Sequence, residues 1–99
     1  MSSRISYELL SEQLGAPLPD DRTARETLYR LTARAISERL PARQQTVLRL
    51  CFAEGLTVRQ AAEKLNISAA TVSRDRKRAC ATLRDALEYA LEVLTRSET

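Results

Sequence analysis

A chain of 99 residues has room for one domain with a modest core, and 43% hydrophobic residues with only two glycines and three prolines point to helices. With no His, no clustered carboxylates and no glycine-rich phosphate loop, the residues needed for acid–base, zinc or phosphoryl-transfer chemistry are missing, so neither an enzyme nor a cofactor is expected. The net charge of +3 hides a segregation: residues 1–21 carry −3, 22–58 carry +4, 59–84 carry +5 and 85–99 carry −3, a basic middle suited to a polyanion held on one face.

In chain order, Ile5, Leu9, Leu10 and Leu14 predict a short amphipathic helix over 5–14. The run Gly15-Ala16-Pro17-Leu18-Pro19 breaks it and is the one obvious linker. Residues 1–21 are therefore expected to be a helical extension with its linker, and 22–96 the main domain. Asp20 and Asp21 offer N-caps for a second helix reaching about Arg39, with Leu28, Leu31, Ala35 and Ile36 on one side. Leu40-Pro41 marks the next boundary, because Pro is welcome at a helix start and disfavoured after a helical residue. A third helix is predicted from about Ala42 to Glu54, with Val47, Leu48, Leu50, Cys51 and Phe52 as its apolar members and Gly55 just past its end. Cys51 and Cys80 lack metal-ligand spacing and read as two small buried hydrophobes.

Residues 57–72 carry the sharpest local signal. Thr57 with Gln60 three residues on is a capping box, in which each side chain satisfies an orphan amide. Ala61, Ala62 and Leu65 make a one-sided stripe, and Ala62 is small where a second helix must cross. Asn66 tolerates the left-handed backbone that ends a helix, and Ile67 returns to the core. Ser68 caps the next helix, and Val72 falls on the same face four residues later. This is the steric recipe for two helices at a steep angle across a very short turn, a helix-turn-helix whose second helix enters the DNA major groove.

That second helix has no stop signal before Ser97. Val72, Ala79, Leu83, Leu87, Ala90 and Leu94 keep a helical period over about 28 residues, or about 40 Å. Beyond Asp85 three uses are open to it: packing on the N-terminal helices, which ranks first, a dimer seam, or fraying. Leu87, Leu91 and Leu94 are too apolar for a wholly exposed tail. The expected architecture is all-α, a small bundle of about five helices ending in a long recognition helix.

With Val72 and Ala79 turned to the core, the groove-facing set is Ser68, Ala69, Ala70, Thr71, Ser73, Arg74 and Lys77. Arg74 is the candidate base reader through a bidentate contact to guanine, with phosphate binding as the equal alternative. Ser73 and Thr71 have donors for bases or phosphate, and Ala69 and Ala70 suit a thymine methyl or close approach. Arg76, Lys77, Arg78 and Arg84 are expected to neutralise phosphates. Arg59, at the start of the preceding helix, is expected to touch the DNA backbone, and Arg43 likewise.

The stretch from Leu40 to Leu87 resembles the C-terminal, −35 element-reading domain of bacterial sigma factors. The matching residues are Leu40-Pro41-Ala42-Arg43, Val47-Leu48, Gly55-Leu56-Thr57, Ala61 through Ser68, Thr71-Val72-Ser73-Arg74, Arg78-Ala79 and Leu83-Arg84. The Leu40-Pro41-Ala42-Arg43 entry and the Arg78-Ala79 exit lie outside a generic helix-turn-helix, whereas Gly-Leu-Thr and Ile-Ser-x-x-Thr-Val are also shared with response-regulator-type domains. Arg76 departs from the pattern, which has an apolar residue there. No segment resembles the aromatic-rich promoter-melting domain, and the aromatics are Tyr7, Tyr29, Phe52 and Tyr89. The resemblance implies a sequence-specific transcription regulator that is not a self-sufficient initiation factor. Its implied partners are double-stranded DNA and RNA polymerase. A homodimer through the C-terminal helix would suit paired half-sites. The alternative is an adaptor of the same fold that binds proteins through that helix. With no membrane span and no signal peptide, a cytoplasmic location is expected.

Overall fold

The computed structural model describes residues 5–15 and 18–96, with side chains described up to Ala90 and at Glu92. It contains five helices and, among the described residues, no strand: α1 (Tyr7–Leu14), α2 (Arg22–Arg39), α3 (Ala42–Phe52), α4 (Val58–Leu65) and α5 (Ala69–Arg96). The all-α expectation holds, and the 28-residue final helix is as long as its apolar period predicted. Ala16 and Pro17 of the linker, the side chains of Leu91 and Leu94, and the stop at Ser97 lie outside the described residues.

Local chemistry sets the boundaries. Asp21 caps α2 by accepting the Thr23 amide at 3.3 Å. Pro41 opens α3, which ends at Phe52, two residues before the expected Glu54. The chain turns away there because Leu56 donates its amide back to the Leu50 carbonyl at 2.9 Å, across a left-handed Gly55 with φ +71°.

All other helices pack on α5, and the core divides into two apolar clusters with α3 as the shared wall. One gathers Leu10 and Leu14 of α1, Leu28, Ala35 and Ile36 of α2, Leu48 and Phe52 of α3, and Ala79, Cys80, Leu83 and Leu87 of α5. The other gathers Val47 and Leu50 of α3, Ala61 and Ala62 of α4, and Val72 of α5. Leu87 is buried, so α5 packs back on the bundle at least that far, as the favoured reading had it.

A backbone hydrogen bond ties the start of α1 to the end of α3, and an aromatic stack ties it to α2. The Ser6 amide donates to the Phe52 carbonyl at 2.7 Å, and Tyr7 stacks on Tyr29 at 4.8 Å between ring centroids. Both cysteines are free, Cys80 buried and Cys51 half-buried.

Candidate nucleic-acid interface

The geometry between α4 and α5 follows the residue chemistry. The Gln60 amide donates to Thr57 Oγ1 at 3.1 Å, and the Thr57 amide donates to Gln60 Oε1 at 2.9 Å, completing the capping box. Asn66 ends α4 at φ +56° and ψ +44°, among the described residues the one non-glycine in the left-handed region. Ile67 donates its amide to the Ala62 carbonyl at 3.1 Å, which closes the turn. Ser68 Oγ accepts the Thr71 amide at 3.1 Å and caps α5. Val72, fully buried, holds the start of α5 against Ala61 and Ala62.

With Val72, Ala79 and Leu83 inward, the opposite side of α5 is fixed. At 3.6 residues per turn, Ala70, Arg74, Lys77 and Arg78 fall within about 100° of arc. All four are exposed, as are Ser68 and Ala69 at the helix start, where the first amides have no partner inside the helix. Thr71 and Ser73 are half-buried at the edges of this face. The Thr71 hydroxyl lies 2.8 Å from Ser68 Oγ and accepts from Arg74 Nη2 at 3.4 Å, which leans the guanidinium toward the helix start. Arg59 is exposed at the second position of α4. Among the described residues, Arg59, Arg74, Lys77 and Arg78 have no ion-pair partner. The same face becomes acidic further along, at exposed Asp85, Glu88 and Glu92.

Three arginines expected at phosphates have partners within the protein. Arg43 donates to Asp75, Nε to Oδ2 at 2.6 Å and Nη2 to Oδ1 at 3.3 Å. This pairing holds its guanidinium pKa above the usual arginine value. Arg76 lies on the core side, its guanidinium carbon 5.1 Å from the Phe52 ring centroid and its Nη2 donating to Gln13 Oε1 at 3.2 Å. Arg84 donates from Nε to the Leu14 carbonyl at 3.1 Å, satisfying the end of α1. The residue that sequence reasoning missed is Asp75. Its signal was its place: the lone acid of the basic run, on the same stripe as Val72 and Ala79.

Residues 38–85 match the family model of sigma-70, region 4. This stretch, from the end of α2 to the middle of α5, is similar to the sigma-70 region 4 helix-turn-helix, a family of DNA-binding regulatory domains and not a catalytic one. Among curated proteins and among solved structures, nothing matches the chain. No helix of the described residues is long and apolar enough to cross a membrane.

Proposed function

We propose that this sigma-70 region 4-like domain reads duplex DNA with the first half of α5, as a sequence-specific transcription regulator, and docks on RNA polymerase as region 4 does in sigma factors. The observation that carries it is the exposed stripe Ala70, Arg74, Lys77 and Arg78, cationic and without ion-pair partners among the described residues. From Ala70 to Arg78 is about 12 Å along the helix, about the width of the major groove. Ser68, Ala69 and Ala70 lead into the groove, small enough for the backbone to approach. Thr71 and Ser73 flank the stripe, and Arg59 reaches the phosphate backbone with the help of its helix start. Asp85, Glu88 and Glu92 end the footprint, because they would face phosphates with like charge. Such a reader works in the cytoplasm.

The test is selection of bound sequences from a random duplex pool, followed by titration at several salt concentrations. A steep salt dependence that weakens in Arg74→Ala and Lys77→Ala is the expected result. Flat binding, unchanged in both variants, overturns the reading. Co-sedimentation with core RNA polymerase tests the second partner.

One observation favours a further protein contact. A groove between α2 and the distal half of α5 is lined by Leu31, Ala35, Ala86, Tyr89 and Ala90, and Tyr89 is 65% exposed. A second copy seated there gives a homodimer suited to two half-sites. Sedimentation equilibrium decides it: a strict monomer at high concentration removes the homodimer and leaves the adaptor reading for this groove.

A further inference from the structure

Two buried side chains among the described residues are polar, Thr32 and Asp75. Thr32 resolves its hydroxyl within its own helix, on the Leu28 carbonyl at 2.7 Å. Asp75 is satisfied from another helix, through the two-pronged contact with Arg43 at the start of α3. The pair is lopsided: the Asp75 side chain is 5% exposed and that of Arg43 56%.

Its location says more than its strength. Asp75 follows Val72 by three residues and precedes Ala79 by four, so it shares their stripe. Val72 belongs to the helix-turn-helix cluster and Ala79 to the bundle cluster, which puts the carboxylate at the seam between them. The side chains that α4 and α5 themselves bury next to it are small (Ala61, Ala62, Val72 and Ala79), and the larger Val47, Leu48 and Leu50 come from α3. Small side chains bury area but interlock shallowly, so they resist rotation of a helix about its axis poorly. A planar guanidinium gripping both carboxylate oxygens has a preferred plane and does resist it. Buried ion pairs are weak evidence for stability, and their best-attested use is to fix register.

We propose that Arg43 and Asp75 are positioning residues: their contact sets the rotation of α5 so that Arg74, Lys77 and Arg78 face outward together, and with it the sequence discrimination of the domain. This rests on the DNA-reading function proposed above. Neither residue touches DNA. Arg74 is the immediate neighbour of Asp75, so a turn of α5 that releases the carboxylate sweeps Arg74 across the groove floor. Non-specific phosphate attraction tolerates such a sweep, whereas a bidentate base contact does not.

The test uses the full chain, a duplex recovered by random-pool selection and a scrambled duplex of equal length. Arg43 is more than half exposed, so Arg43→Gln removes the pair with little loss of packing. Expected is a fall of about tenfold in affinity for the selected duplex and less than about twofold for the scrambled one, with an unchanged salt slope. The double variant R43Q/D75N, freed of its unpaired carboxylate, recovers thermal stability but not discrimination. Arg43→Lys, which keeps the charge and loses the fork, behaves as R43Q. A salt slope lower by about one in R43Q would make Arg43 a phosphate contact and overturn the proposal. So would an unchanged affinity ratio, or wild-type discrimination in R43K. The rotation is also read without DNA: methyl contacts of Val72 and Ala79 to α3 and α4 change partners in the nuclear Overhauser spectrum of R43Q. Unchanged contacts overturn the proposal even where the wild-type chain binds no DNA, the outcome that by itself defeats the DNA-reading function.

Discussion

Arg76 lies across the face of Phe52, its guanidinium carbon 5.1 Å from the ring centroid, and is thereby withdrawn from the cationic stripe that its neighbours Arg74, Lys77 and Arg78 present. Its Nη2 is held by Gln13 at 3.2 Å, while its Nε is buried without an acceptor among the described residues. An unsatisfied buried donor costs about 1–3 kcal/mol, and a cation over a phenyl ring returns about 0.5–1 kcal/mol. Arg76→Leu is therefore expected to be as stable as the wild type, or more stable by up to about 1 kcal/mol in urea unfolding. The same variant should leave the salt slope of DNA binding unchanged. A slope lower by about one unit would show that Arg76 reaches a phosphate after all.

The helix-turn-helix offers a paired test of local backbone chemistry. Asn66 holds φ at +56°, where an ordinary L-residue pays about 1–2 kcal/mol. Asn66→Ala should destabilise by about 1 kcal/mol, while Asn66→Gly should stay within about 0.5 kcal/mol of wild type. Thr57→Ala, which dissolves the capping box, should cost about 1 kcal/mol. Equal stability of the Ala and Gly variants at 66 would mean that the left-handed turn is not retained in solution.

These features were legible in the sequence because their partners are near neighbours. Thr57 and Gln60 are three apart, Ser68 and Thr71 three apart, and the burial of Val72, Ala79, Leu83 and Leu87 repeats a period that two turns already reveal. The fates of three arginines were not legible. Arg43 finds Asp75 across 32 positions, Arg76 finds Gln13 across 63, and Arg84 finds the Leu14 carbonyl across 70. A guanidinium suits a phosphate, a carboxylate or an aromatic face equally well, so residue type fixes its chemistry and leaves its partner open. Only the folded arrangement of α1 and α3 around α5 decides which one is met.

The attachment of α1 to the rest of the bundle can be measured with two neighbouring leucines. Leu10 is 1% exposed within the larger cluster, and Leu9 is 52% exposed. Leu10→Ala should cost about 2–4 kcal/mol in global unfolding, and Leu9→Ala less than about 0.5 kcal/mol. A single cooperative transition in Leu10→Ala, shifted to lower urea, is the expected form. An early separate transition, with the midpoint of the remainder unmoved, would show α1 unfolding on its own.

Alkaline pH probes the seam between α3 and α5 through its two thiols. Burial raises the pKa of both Cys51 and Cys80 above the ordinary 9.0, and neighbouring Arg76 only partly opposes the shift. In the unfolded chain the thiols ionise first, so between the unfolded and the raised folded values the native state holds more protons. Stability on this account is fully present below about pH 9 and is lost as pH rises through the folded values. The wild-type chain, kept under reductant, should lose urea stability from pH 9 upward. A Cys51→Ala/Cys80→Ala variant should lose less over pH 9 to 10, despite starting about 1 kcal/mol lower at pH 7 because of the vacated volume at Cys80. Tyr7, also raised by burial, adds its own loss only above pH 10 and does so equally in both chains. Parallel curves for the two proteins from pH 9 to 10 would place the thiols in contact with water and contradict the packing of Cys80 against Leu83 and its cluster.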